Sequence, residues 1–190
     1  GGTPGFIQAM KTAMAIRLKE RMGIKNIHNR EQELIKETFR RLREIKGIHI
    51  LADNITDRLG VFSFYADGIH HNLFTKILND RYGIQVRGGC SCAGTYGHFL
   101  LDVNFSLSKE ITERIEAGDL SLKPGWIRLS LHPTMTDEEL SFIIQAIEET
   151  MINASEWEKD YVYNSHTNEF CHRNFREKES SGYSHWFEFA

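Results

Sequence analysis

The spacing of apolar residues changes period repeatedly along the chain, and this alternation narrows the available folds more than any other feature. Ile7, Met10, Met14 and Leu18 recur at helical spacing until Gly23 stops the run. A second amphipathic helix carries Ile35, Phe39 and Leu42 among many charges. Ile48 to Leu51 and Val61 to Tyr65 read as strands, separated by the turn-rich Ala52-Asp53-Asn54. Leu73, Phe74, Ile77 and Leu78 define a helix that leads into a short strand, Gly83 to Val86. A charged helix is expected over Leu107 to Glu116 and a strand over Trp126 to Leu131. Thr136 and Glu139 form a capping box for a helix carrying Leu140, Ile143, Ile147 and Met151. Helices alternating with a few short strands predict an α/β (α+β) domain, a small and mostly antiparallel sheet covered by helices.

The 190 residues suit one large domain, or one domain with an extension, and 41% apolar residues suffice for a core. No apolar run approaches the ~18 residues that span a membrane. A net charge of −3 gives no reason to expect nucleic acid or an anionic membrane surface as partner. Cys90, Cys92 and Cys171 are too few for a disulfide framework, so the expected compartment is reducing and cytoplasmic. The opening Gly1-Gly2-Thr3-Pro4-Gly5 lacks an initiator Met and reads as a loop entering a helix, as in a fragment of a longer polypeptide. From Ser155 onward aromatics concentrate, Trp157, Trp186 and Phe187 among them, with weak periodicity. So aromatic a tail is expected to wrap over the domain or over a partner subunit.

Two places carry chemistry. Arg87-Gly88-Gly89-Cys90-Ser91-Cys92-Ala93-Gly94 puts two thiols on a glycine-flanked loop with little side-chain bulk around them. A thiol so exposed, near a fixed cation, is the setting of a nucleophile. The alternatives are an incidental cysteine or half of a metal site, with Cys90, Cys92 and His98 as zinc ligands. In Trp126-Ile127-Arg128-Leu129-Ser130-Leu131, period two places Ile127, Leu129 and Leu131 on one face and Arg128 on the other. A mid-strand guanidinium needs an anion, and its planar fork suits a carboxylate; a structural ion pair or an exposed sheet face is the alternative. His70-His71 reads as turn and helix cap, and Cys171-His172 as incidental. The Phe6, Met10, Met14 stripe reads as core or subunit interface, and the charges from Arg30 to Lys46 as a solvated helix face.

Four segments, in order, resemble the C-terminal part of class V aminotransferase-type enzymes that use pyridoxal phosphate, cysteine desulfurases and selenocysteine lyases above all. They are Gly2-Thr3-Pro4; Gly60-Val61-Phe62-Ser63-Phe64 with Gly68-Ile69-His70; Arg87-x-Gly89-x-x-Cys92-Ala93; and Arg128-Leu129-Ser130 followed by Thr136-Asp137-Glu138-Glu139. The resemblance covers roughly residues 1–151. It implies that Cys92 is the catalytic nucleophile, taking sulfur from L-cysteine as a persulfide and leaving alanine. It implies that Arg128 holds the substrate carboxylate and that Arg87 anchors the loop at the substrate. Thr3, with Gly2, would reach the cofactor phosphate in the neighbouring subunit of a homodimer, and a separate protein could accept the sulfur.

The resemblance also exposes a gap. The family holds its cofactor covalently on a lysine in a Ser-x-His-Lys type segment, and none occurs here; Lys11, Lys36, Lys76 and Lys123 lack that context. The implied organisation is a small C-terminal domain over 1–154 and an aromatic-rich extension over 155–190. The N-terminal cofactor-binding domain lies outside this chain, which alone would be inactive. Two other readings stand beside this one: an aminotransferase, lyase or epimerase of the same fold without desulfurase activity, and a non-catalytic dimerisation or sulfur-relay module.

Overall fold

The computed structural model describes residues 2, 4–90 and 94–175, Gly94 and Thr95 by their backbone. Two helices open the chain, α1 (Phe6–Met22) and α2 (Ile24–Leu42), broken at Gly23, whose φ of 81° is the left-handed conformation glycine tolerates. There follow β1 (Ile48–Ile50), β2 (Val61–Ala66), α3 (His71–Tyr82), β3 (Arg87–Gly89), α4 (Gly94–Leu100) and α5 (Phe105–Glu116). The chain continues through β4 (Trp126–Ser130) and α6 (Asp137–Trp157) to a hairpin, β5 (Tyr161–Asn164) and β6 (Glu169–His172). Four strands make one antiparallel sheet in the order β1-β2-β4-β3. The mixed, mostly antiparallel architecture is the one the alternating periods predict.

One face of the sheet holds the core. Phe62, Phe64 and Ile127 are fully buried there (0% exposed), with Leu129 beside them. Against them pack Leu34, Ile35, Phe39 and Leu42 of α2, Phe74 and Leu78 of α3, and Leu140, Ile144 and Ile147 of α6. Each helix offers these residues at three- and four-residue steps, hence on one side. Phe39 meets Phe62 edge-on at 4.8 Å, and Phe74 meets Phe64 at 5.9 Å. The capping box forms: Glu139 N–H donates to Thr136 Oγ1 (3.1 Å) and Thr136 N–H to Glu139 Oε2 (2.8 Å).

Two local expectations need correction. Gly83 to Val86 is not a strand; the strand is Arg87–Gly89. Gly83 closes α3 in the left-handed conformation (φ 68°), and the Ile84 N–H reaches back to the Leu78 carbonyl at 3.1 Å, so the run belongs to the helix end. The Phe6, Met10, Met14 stripe is not core of this chain: these residues are 62, 62 and 70% exposed, and no residue of α1 is buried. Ala13, Met14, Ala15 and Ile16 follow one another, and Gln8, Lys11, Thr12 and Arg17 lie among the apolar residues, so α1 has no single apolar face to set on the sheet. The start of the aromatic tail does lie over the domain, as the β5–β6 hairpin, with Tyr161 buried against Leu73 and Ile77 of α3. Weak periodicity hid it because each of its strands has four residues. Trp186 and Phe187 lie outside the described residues. Among the described residues no helix is long and apolar enough to cross a membrane.

Candidate active site

The same alternation that buries Phe62, Phe64, Ile127 and Leu129 turns Ser63, Arg128 and Trp126 to the opposite face. Register then aligns three residues in a row across three strands. Ser63 of β2 faces Arg128 of β4, and Arg128 faces Arg87 of β3. Arg128 is half-buried and Arg87 is exposed. Neither has a side-chain hydrogen bond or ion pair among the described residues, whereas Arg30, Arg40, Arg43, Arg81 and Arg114 each meet a carboxylate. Like charges directly opposed on neighbouring strands repel. Two guanidiniums placed so are relieved by an anion with two oxygens, a carboxylate for example. The structural ion pair that Arg128 might have made is therefore not found among the described residues. Beside the row lies a depression of about 430 Å³ lined by Val61, Ser63, Trp126, Tyr96 and Leu100.

β3 carries the arginine row into the thiol loop. A side chain at Gly88 would strike Asn72 and Thr75 of α3, with a Cβ 2.6 Å from Asn72 Oδ1. Gly88 therefore faces α3, and Arg87 the other way. Gly89 follows with φ 108°, a conformation that favours glycine. Cys90 is part-buried and lines a cavity of about 840 Å³ on the α3 side, together with Lys76, Lys123, Thr75 and Cys171. The cavity thus brings together two lysines and two free thiols that are far apart in sequence. Lys76 also pairs with Asp80 at 3.3 Å.

Cys92 and Thr3, the expected nucleophile and phosphate ligand, lie outside the described residues. Gly2 is exposed ahead of α1. His98, considered as a zinc ligand, shares a hydrogen bond of 2.8 Å with Ser108 Oγ through its Nδ1. No group of three potential metal-binding side chains converges among the described residues.

His70 does cap α3, its Nδ1 accepting from the Asn72 N–H at 3.1 Å. His71 behaves differently and was not foreseen. It is 7% exposed, and its Nε2 is buried without a partner. Burial, reinforced by the nearby His70 and Lys123, pushes its pKa down to about 3, so the ring is neutral. A Cβ at Gly125 would lie 2.6 Å from this ring and 2.9 Å from Gly89 Cα. The imidazole therefore fills the space that Gly125 leaves open beside the end of β3. The signal in the sequence is the glycine just before Trp126, a position where a side chain would meet this ring.

The aminotransferase class-V family model matches residues 1–143. A probable cysteine desulfurase of Staphylococcus aureus (strain Mu50) is 39% identical over 93 residues, covering 48% of this chain and 22% of the relative. One of Staphylococcus epidermidis (strain ATCC 12228) is 36% identical over the same length. Among solved structures, the apo cysteine desulfurase of Thermococcus onnurineus NA1 superimposes with a TM-score of 0.58 at 28% identity, over 80% of this chain and 33% of that one. The cysteine desulfurase CsdA of Escherichia coli shares the fold with a TM-score of 0.54 at 18% identity, over 80% of this chain and 32% of that one. The chain spans about a fifth of the length of these curated relatives and a third of the solved ones.

Proposed function

The chain belongs to the aminotransferase class-V family, and we propose that it is the C-terminal domain of a cysteine desulfurase, with residues 1–154 as that domain and 155–190 as an extension. The observation that carries this reading is the in-register pair Arg87 and Arg128, without acidic partners among the described residues, Arg87 lying on the strand that leads to Cys90. It supplies a carboxylate grip and a thiol at neighbouring positions of one sheet edge. The short share of each relative that is matched supports a larger enzyme that includes the cofactor-binding domain.

Arg128 would hold the carboxylate of L-cysteine, its planar fork fixing the direction of the amino acid. Arg87, exposed at the start of β3, would share that charge and tether the substrate beside the loop. Holding the two reactants together removes translational freedom from the barrier. The Cys92 thiolate would attack the substrate sulfur. A sulfur–sulfur bond forms as the substrate's carbon–sulfur bond breaks, and the electron pair left on carbon takes a proton to give alanine. Pyridoxal phosphate, generally used in this family, would supply the sink for electrons from the substrate carbon. The described residues do not hold it: no lysine has the expected context, and of the two positions expected at the phosphate Gly2 is exposed and Thr3 undescribed. Its bed is assigned to the N-terminal domain, with Thr3 and Gly2 reaching the phosphate across a homodimer. The uncovered apolar surface of α1 supports such an assembly. A sulfur-accepting protein and a cytoplasmic location complete the proposal.

The test is alanine and sulfide release from L-cysteine by the complete enzyme carrying this chain. Parent enzyme is expected to yield both, and Cys92→Ser to retain less than about 1% of the rate, as when a nucleophile is removed. Alanine formed at the parent rate by Cys92→Ser would point instead to a class V lyase that does not use this thiol.

A further inference from the structure

The β5–β6 hairpin is joined to the end of β3 by a column of packed rings that ends on Gly125, whose Cβ position lies against both the His71 ring and Gly89 Cα. At its outer end Tyr163 and Phe170 pack on each other, ring centres 4.7 Å apart and tilted by 35°. Both rest on His70, at 5.4 and 5.3 Å. His70 stacks on His71 at 4.3 Å and 27°. His71 in turn abuts Gly125, at the entrance to β4, within the space that also bounds Gly89, at the end of β3. Cys90 is the next residue. The hairpin turn is tied down on two sides. Asn72 Nδ2 donates to the Asn168 carbonyl at 2.5 Å, and the Leu120 N–H to the Ser165 carbonyl at 2.8 Å. Tyr163 Oη donates to Asn168 Oδ1 at 2.8 Å, which fixes the ring at the top of the column.

Two buried imidazole nitrogens without partners, His70 Nε2 and His71 Nε2, are an arrangement that packing alone does not favour. A leucine in place of His71 would fill the space without that cost. A flat, stiff ring stacked on a second one does, however, transmit position: it resists both compression and tilt.

We propose that the hairpin acts as a brace that positions the end of β3, Gly89 and Cys90, with Phe170, Tyr163, His70 and His71 as positioning residues. The brace fixes where β3 ends and hence where the loop begins. None of the four touches the arginine row, so substrate binding is left to Arg87 and Arg128. The catalytic half of this inference rests on the desulfurase reading; the mechanical half does not.

The experiment is residue-resolved amide hydrogen exchange on the 190-residue chain, for Phe170→Ala, Tyr163→Ala, Phe170→Tyr and Val162→Ala. Phe170→Ala and Tyr163→Ala are expected to speed exchange at Gly88, Gly89 and Cys90 about tenfold while leaving Ile50 and Phe64 unchanged, the sign of local opening. Phe170→Tyr keeps the packed ring and is expected to match the parent. Val162→Ala changes the exposed face of the hairpin and is also expected to match it. In the complete enzyme, Phe170→Ala is expected to lower kcat with KM for L-cysteine unchanged. Parent-like exchange over Gly88 to Cys90 in both alanine variants overturns the brace, as does an equal rise everywhere, which would mark a merely structural role. A local rise in exchange without loss of kcat overturns its catalytic use. If the parent turns over no cysteine, the desulfurase reading fails while the exchange data still decide the brace.

Discussion

The two faces of the four-stranded sheet are built from the same strands, yet they meet opposite demands. On one, Phe62, Phe64, Ile127 and Leu129 pack under buried residues of α2, α3 and α6. On the other, Ser63, Arg128 and Arg87 stand in a row, two like charges opposed and unpaired among the described residues. The first face gains from burial; the second leaves two opposed guanidiniums whose repulsion an anion would relieve. Their separation by a single residue step means that the core fixes the site: Phe62 and Phe64 flank Ser63, and Ile127 and Leu129 flank Arg128. Neither can shift register without exchanging the faces.

The contrast can be broken most strongly from the covered side. Phe62→Ala is expected to lower unfolding stability by about 3–5 kcal/mol, since it empties a ring's volume at a fully closed position. Chemical denaturation measures this, and a loss below about 1 kcal/mol would mean that the core relaxes around the site rather than fixing it.

Acid strikes the same covered side. His71 takes up its proton near pH 3 in the folded chain, against an ordinary value of 6.5. Between these values the unfolded chain binds more protons, so stability is full above about pH 6.5 and falls as pH drops. The slope from His71 approaches about 1.4 kcal/mol per pH unit. His70, also lowered by burial, acts in the same direction. Denaturation midpoints between pH 6.5 and 4.5 should therefore fall steeply in the parent and less so in His71→Gln; parallel slopes would remove the buried imidazole from the account.

The open side should respond in function and not in stability. Arg128→Lys replaces a two-bond grip by a point charge and is expected to weaken L-cysteine binding in the complete enzyme by about 1.5–3 kcal/mol, some ten- to 150-fold in KM. Its denaturation midpoint should stay within about 0.5 kcal/mol of the parent, as for surface changes away from core features. An unchanged KM, or a large loss of stability, would erase the difference between the faces.

Periodicity made the helices and the two long strands legible. Ile35, Phe39 and Leu42, or Thr136 with Glu139, state their structure in residues a turn apart. The alternation in Trp126 to Leu131 by itself assigns Arg128 to the face opposite the core. What the sequence left open involves partners distant along the chain. Nothing near Arg87 announces that it stands opposite Arg128, because strand pairing is set by the whole sheet. Nothing in Tyr163 or Phe170 announces His70, because a four-residue strand is too short to show a period. Gly83 to Val86 looked like a strand since its apolar residues serve the end of a helix, and only packing distinguishes the two. The sequence by itself thus determined the elements and the chemical types at the site, since local spacing and side-chain chemistry are written residue by residue. Tertiary structure alone decided which charges face each other and that a hairpin near residue 170 bears on a strand end near residue 90, since those depend on how separate elements share one buried volume.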